Sequence, residues 1–201
     1  MRSDSEATPS DVVAHVADVV ERYRSHGNVA ALHLELETQL AAASPERLAE
    51  AAEPFRDIPE VAGFLYEKIV DQRPDDARAL VILANAYWLS GRGPDVVGEL
   101  ATRAIASDPT NRGAWHLWAL TESDPRQRTT RWKQVSERFP EDDLARASLA
   151  DNAASLAGAE RDYQALDLAI ETYEELWARA PRPEQREALE KALSSLRGWK
   201  F

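Results

Sequence analysis

Apolar residues recur along the chain at the three- and four-residue spacing of amphipathic helices. The first such segment carries Val12, Val16, Val19 and Tyr23 on one face. Similar segments follow to the C-terminus, and none keeps the period-two alternation of a half-buried strand. The pattern therefore predicts an all-α chain without a β-sheet.

Proline, glycine and capping residues divide this pattern into separate helices. Gly27 can end the first helix in a left-handed conformation, and a second helix is predicted over 29–43. A short helix is predicted over 45–55, and Pro59 begins another. The polar residues 1–10 precede the first helix and are predicted to be disordered.

From Pro59 onward the pattern repeats. Three similar segments, Arg-Pro-Asp-Asp at 73–76, Asp-Pro-Thr-Asn at 108–111 and Phe-Pro-Glu-Asp at 139–142, each separate two amphipathic helices. Proline ends the first helix, and the Asp or Asn after it can cap the next. The prolines of these segments and Pro181 are 35, 31 and 41 residues apart. A period of about 34 residues with one helical hairpin per unit is typical of a helical solenoid.

Residues inside each unit strengthen this interpretation. The first helices of three units read Leu80-x-x-Leu83-Ala84-x-x-Tyr87, Trp115-x-x-Trp118-Ala119 and Arg146-x-x-Leu149-Ala150. This resembles the tetratricopeptide repeat (TPR) family, whose pattern is Trp-x-x-Leu-Gly-x-x-Tyr, then Ala-x-x-x-Phe, then Pro. The resemblance covers roughly residues 59–182. Alanine in place of the family's glycine keeps the small size that close helix packing needs.

The resemblance implies one right-handed α-solenoid domain of antiparallel helical hairpins over residues 11–201. Residues 11–58 are expected to form degenerate N-terminal helices, 183–197 a capping helix and 198–201 an aromatic tail. Large side chains are expected to face inward between small ones, as interdigitating helices require. These are Tyr66, Tyr87, Trp115, Trp118, Trp132, Tyr173 and Trp177.

In TPR proteins the first helix of each hairpin lines a concave groove that takes an extended peptide or a partner helix. The residue-by-residue match places the following positions on that groove: Arg78, Val81, Ile82, Asn85, Trp88, Leu89, His116, Leu120, Leu144, Ala147 and Asp151. Trp88 directly follows the inward-facing Tyr87, so it is expected to point outward, where exposed tryptophan is a typical binding hot spot. Packing of Trp88 on a flanking helix remains the alternative.

The sequence lacks the residue arrangements that common catalytic sites require. The chain has no cysteine, no phosphate-binding glycine loop and no Gly-x-Ser-x-Gly nucleophile elbow. Its four histidines, His15, His26, His33 and His116, lack the helical spacing of a zinc site. We therefore expect no enzymatic activity, no cofactor and no metal.

The net charge is −11, which disfavours nucleic acid and anionic membranes as partners. Residues 1–76 alone carry a net charge of −9, so the N-terminal third favours a basic partner. The chain shows neither a long apolar span nor a secretory signal at its polar N-terminus, which favours the cytoplasm.

One run of basic residues could bind nucleic acid or phosphate. It consists of Arg126, Arg128, Arg131 and Lys133 around Trp132. Helical periodicity favours the plainer interpretation, in which Trp132 faces inward and the arginines pair with nearby acids.

Three functions follow from these patterns. The first is a non-catalytic protein–protein interaction module, either an adaptor, a chaperone-like protein or an assembly factor. The second is an obligate subunit of a larger enzyme or defence complex, docking through the acidic N-terminal helices or the tail Trp199-Lys200-Phe201. The third is a catalytic or nucleic-acid role of the basic run, which requires its side chains to converge in a pocket.

Overall fold

The computed structural model describes residues 9–40 and 42–201, with side chains from residue 12 onward. Within these residues the chain forms eleven α-helices, a 3₁₀ turn over Glu53–Phe55 and no strand, which confirms the predicted all-α fold. The α-helices are α1 (Pro9–His26), α2 (Val29–Leu40), α3 (Pro45–Ala52), α4 (Pro59–Gln72), α5 (Ala77–Leu89), α6 (Pro94–Ser107), α7 (Arg112–Leu120), α8 (Pro125–Arg138), α9 (Asp143–Glu160), α10 (Tyr163–Arg179) and α11 (Pro183–Arg197).

Two predictions concern the ends of the chain, and they compare differently with the observed helix bounds. The capping helix expected over 183–197 coincides with α11. The disordered segment expected over 1–10 lies outside the described residues up to position 8, and residues 9 and 10 already belong to α1.

The chain divides into two compact units, one ending at Leu117 and the other beginning at Trp118. The boundary between the two units lies inside α7, and the single domain expected over 11–201 stays a prediction. In the first unit α1 contacts α2 and α3, and the helices from α3 to α6 pack in chain order. In the second unit α8 packs on α9, α9 on α10 and α10 on α11.

Aspartate and asparagine after the repeated prolines begin the next helix, as their sequence predicts. The Asp76 side chain accepts a hydrogen bond from the Ala79 backbone N–H at 3.0 Å. Asn111 does the same for Ala114 at 3.2 Å, and Asp142 for Leu144 at 3.1 Å. Each cap satisfies a backbone donor that has no partner inside its own helix.

Small residues hold the helices close together inside each unit. In the first unit Ala62, Ala84, Ala101 and Ala104 are fully buried. A Cβ placed on Gly63 of α4 would lie 3.8 Å from the Ala86 Cβ of α5, an ordinary van der Waals distance. Small residues therefore meet where these two helices pack.

A buried arginine stabilises the second unit where the repeat pattern has a large apolar residue. Arg146 is 8% exposed. Its guanidinium donates to Glu175 at 3.1 Å, to Asp143 at 3.0 Å and to the Pro140 carbonyl at 2.7 Å. These bonds satisfy its charge in the interior and connect α9 to α10.

The expected inward packing holds for six of the seven large side chains. Tyr66 and Trp132 are buried, and four others are partly buried: Tyr87, Trp115, Trp118 and Tyr173. Trp177 was wrongly placed, because its side chain is 40% exposed. Its neighbour Leu176 takes the buried position, and adjacent residues on a helix point about 100° apart.

The aromatic tail packs on its own unit. The Trp199 ring lies 3.2 Å from the position that a Cβ on Gly158 would take. The Phe201 backbone N–H donates to the Tyr163 hydroxyl at 3.1 Å, and the two rings meet edge to face at 5.1 Å. The tail therefore covers the junction of α9 and α10.

We expect Asp76→Ala to lower the free energy of unfolding by about 1 kcal/mol, because the start of α5 loses its cap. Asp75→Ala is the matched control, since Asp75 makes no hydrogen bond or ion pair with the described residues. Urea denaturation followed by circular dichroism measures both variants. Equal stability of the two variants would show that the Asp76 cap does not stabilise α5.

Candidate functional site

One face of α5 carries the six predicted groove positions of the first unit. They follow the helical spacing i, i+3, i+4, i+7, i+10 and i+11, and they are Arg78, Val81, Ile82, Asn85, Trp88 and Leu89. Val81 and Ile82 are partly buried, and the other four are exposed. The opposite face buries Leu80, Leu83 and Ala84 in the core.

The exposed apolar residues of this face lie at its C-terminal end. Trp88 is 39% exposed and Leu89 is 66% exposed, so α5 presents two large apolar side chains to solvent. Toward the other end, Val81 packs against the start of α7, where its Cγ1 lies 3.2 Å from the Cβ position of Gly113. The amide of Asn85 donates to the Val81 carbonyl at 3.1 Å, so its side chain is oriented by its own helix.

Sequence reasoning missed a second face that lies beside this one. In α3 and the following 3₁₀ turn, Glu46, Ala49, Glu50 and Glu53 repeat the spacing i, i+3, i+4, i+7 of the α5 face. Together with the start of α5 they border a cleft of about 650 Å³. The common spacing was visible in the sequence, but α3 lacks the aromatic and leucine pattern that marks the clearer units.

The floor of this cleft comes from α4. Ile69 and Tyr66 line it, and Tyr66 is only 3% exposed. Burial is the main reason why the pKa of the Tyr66 hydroxyl is raised, with the Glu53 carboxylate adding to the effect. No described residue forms a hydrogen bond with this hydroxyl. The cleft thus offers one unpartnered polar group on an apolar floor.

Ion pairs balance the charge at the cleft rim. Glu46 pairs with Arg73. Glu53 pairs with Arg56 at 2.9 Å and with the exposed Arg78 at 3.6 Å. Apolar contact and the Tyr66 hydroxyl, more than net charge, therefore determine what this cleft can hold.

The remaining predicted positions are divided between the units. His116 belongs to the first unit and is partly buried. Leu120 and Leu144 belong to the second unit and are 40% and 65% exposed. Ala147 is partly buried, and Asp151 accepts a hydrogen bond from the Tyr173 hydroxyl. Burial of the ring and this hydrogen bond raise the pKa of the Tyr173 hydroxyl. The same bond orients the Asp151 side chain toward α10 of the second unit.

The basic run forms internal contacts instead of a convergent pocket. Arg126 pairs with Glu160 and Asp162, and Lys133 pairs with Glu137. Arg128 donates to the Asn152 side chain at 2.8 Å and to the Glu122 carbonyl at 3.0 Å.

Arg131 is the most strongly held member of this run. It pairs with Glu122 at 2.6 Å, donates to the Trp118 carbonyl at 2.7 Å and stacks 4.5 Å from the centre of the Trp118 ring. These contacts favour the structural interpretation of the run.

A metal site and a membrane-spanning helix are both missing among the described residues. Those residues contain no group of three or more His, Asp or Glu side chains placed to hold a metal ion. No helix formed by them is long and apolar enough to cross a membrane.

Comparison with known proteins identifies the fold. No family model matches the sequence, and no curated protein matches it either. Among solved structures, MamA protein is 18% identical over 86% of this chain and 97% of its own, with a TM-score of 0.58. TTC0263, described as a thermophilic TPR protein of Thermus thermophilus, is 17% identical over 92% of this chain and 98% of its own, with a TM-score of 0.55.

The chain has the TPR fold. A third solved structure, PilF of Pseudomonas aeruginosa, is 16% identical over 95% of both chains with a TM-score of 0.53. The expected all-α, TPR-like architecture is therefore confirmed.

We expect Arg131→Ala to lower the free energy of unfolding of the second unit by about 2 kcal/mol, because a charged hydrogen bond and a ring contact are lost together. Lys133→Ala is the control from the same run, since its ion pair with Glu137 is exposed on both sides and contributes little. Thermal denaturation measures both. An unchanged melting temperature for Arg131→Ala would contradict the structural role of the run.

Proposed function

We propose that this protein is a non-catalytic protein–protein interaction module. It binds a peptide or a partner helix on the exposed faces of α3 and α5, as an adaptor, chaperone-like protein or assembly factor does. The observation that carries the proposal is the pair of exposed apolar side chains, Trp88 and Leu89, on the groove face of a TPR-type helix. The fold itself supports protein binding in general.

The physical basis is the cost of leaving these side chains in water. Burying a tryptophan and a leucine against a partner stabilises a complex by several kcal/mol, and such anchors dominate binding energies. The α3–α5 cleft adds an apolar depression with one available hydroxyl. A partner segment that places an apolar side chain there, with a carbonyl over Tyr66, satisfies both features.

A second candidate is an obligate subunit that docks through its N-terminal helices. Leu34 on α2 is 70% exposed, which favours this candidate. The tail supports it less, because Trp199 and Phe201 pack on their own unit.

Leu89→Ala and Leu34→Ala distinguish these two surfaces, since the two leucines are exposed to nearly the same extent. We expect Leu89→Ala and Trp88→Ala to weaken partner capture at least tenfold, because both remove groove anchors. Leu34→Ala is expected to leave capture unchanged. Affinity capture from the native host with quantitative mass spectrometry measures all three. If only Leu34→Ala loses partner capture, the binding surface lies on α2 instead of α5.

Tyr66→Phe tests the floor of the cleft. We expect the free energy of unfolding to change by less than about 0.5 kcal/mol, since the hydroxyl makes no bond with described residues. Binding of the captured partner, measured by calorimetry, is expected to weaken about fivefold, because its acceptor loses a donor in a buried site. Unchanged affinity would exclude the Tyr66 hydroxyl from the interface.

A further inference from the structure

The exposed ring of Trp177 borders a second cleft, which lies within the second unit between α10 and α11. The cleft has a volume of about 560 Å³. Its lining residues are Glu174, Trp177, Ala178, Glu190, Leu193 and Arg197. This volume is within the range of sites that hold small molecules or inserted side chains.

A hydrogen bond between the two helices fixes the indole. The Trp177 Nε1–H donates to Glu190 Oε1 at 3.1 Å. The bond holds the edge of the ring against a carboxylate, and the Trp177 side chain is 40% exposed and lines the cleft. Glu190 has a second oxygen, Oε2, which makes no bond with the described part of the chain.

Among the described residues Glu190 has no counter-ion, whereas its acidic neighbours do. Glu174 pairs with Arg197 at 2.6 Å, and Glu187 pairs with Lys191 at 2.7 Å. No described cation lies within ion-pair distance of Glu190. Two carboxylates, Glu174 and Glu190, and one guanidinium, Arg197, line the cleft, so its lining has a net charge of −1.

We propose that this cleft binds an arginine side chain of a partner protein segment. The guanidinium stacks on the open face of Trp177 and donates to Oε2 of Glu190, and its methylene chain packs against Leu193 and Ala178. An aromatic face attracts a cation through its quadrupole, and an adjacent carboxylate strengthens the attraction.

Arginine fits this arrangement better than lysine. Its guanidinium is planar, so it can lie flat on the indole while its edge reaches the carboxylate. The ammonium of lysine is compact and strongly hydrated, and it can make only one of these contacts well. The negative charge of the cleft also complements the positive charge of a basic partner segment.

This site is distinct from the α3–α5 groove in its residues and in its ligand. It belongs to the other compact unit, and it uses a charge and an aromatic face in place of an apolar floor. The two sites can therefore be tested separately.

Titration with the peptide Ac-Arg-Arg-Arg-Arg-NH2 tests the proposal by ¹⁵N NMR. The chain has six tryptophans, and the indole signal of Trp177 is assigned by its loss in Trp177→Phe. We expect this signal to shift saturably with the arginine peptide, and to shift less with the lysine analogue. Potassium chloride at matched ionic strength is expected to leave the chemical shift of the Trp177 indole signal unchanged.

Glu190→Gln and Glu187→Gln form the matched pair of variants. We expect Glu190→Gln to weaken arginine-peptide binding at least threefold, because the counter-charge is lost. Glu187→Gln removes the same charge nearby, but its carboxylate already pairs with Lys191, so affinity is expected to stay within twofold. Equal losses in the two variants, or a Trp177 signal that follows ionic strength alone, would overturn the proposal. Tighter binding of the lysine peptide would overturn the choice of arginine.

Discussion

The structure depends on one packing constraint: an amphipathic helical hairpin cannot bury its apolar face by itself. Each helix must place that face against its neighbours, and close approach requires small residues such as Ala62, Ala84 and Gly63 at the contacts. Because one face of each helix is committed to the core, the opposite face stays at the surface. The outer face of α3 and the start of α5, at Arg78, border the same cleft, so this cleft follows from the way the core is built.

Arginine has a structural role in this acidic chain. Arg131 and Arg146 connect helices of the second unit through carboxylates and backbone carbonyls, and Arg73 connects α4 to α3 in the first. The positive charges of these arginines are therefore paired inside their own units. Glu190, which has no counter-ion among the described residues, is in the proposed arginine site an acid that distinguishes partners by charge.

Sequence patterns predicted the fold because its main signals are local. Proline followed by Asp76 or Asn111 marks where helices end and begin, and the spacing of the α5 face identifies Trp88 as exposed. Trp177 was misplaced because Leu176 beside it is equally apolar, and periodicity alone does not decide which of two adjacent apolar residues faces the core. Tertiary contacts decide the rest. The partners of Arg131 come from the end of α7 and the loop after it, and the floor residue Tyr66 of the α3–α5 cleft comes from α4. The boundary between the units lies inside α7.

Site-specific photo-crosslinking tests most directly whether the groove faces hold the partner. A photoreactive amino acid is placed at Glu50 of α3, at Asn85 of α5 and, as a control, at the exposed Thr102 of α6. The groove account predicts that Glu50 and Asn85 capture the same protein and that Thr102 captures none. Crosslinking at Thr102 with no product at Asn85 would contradict it.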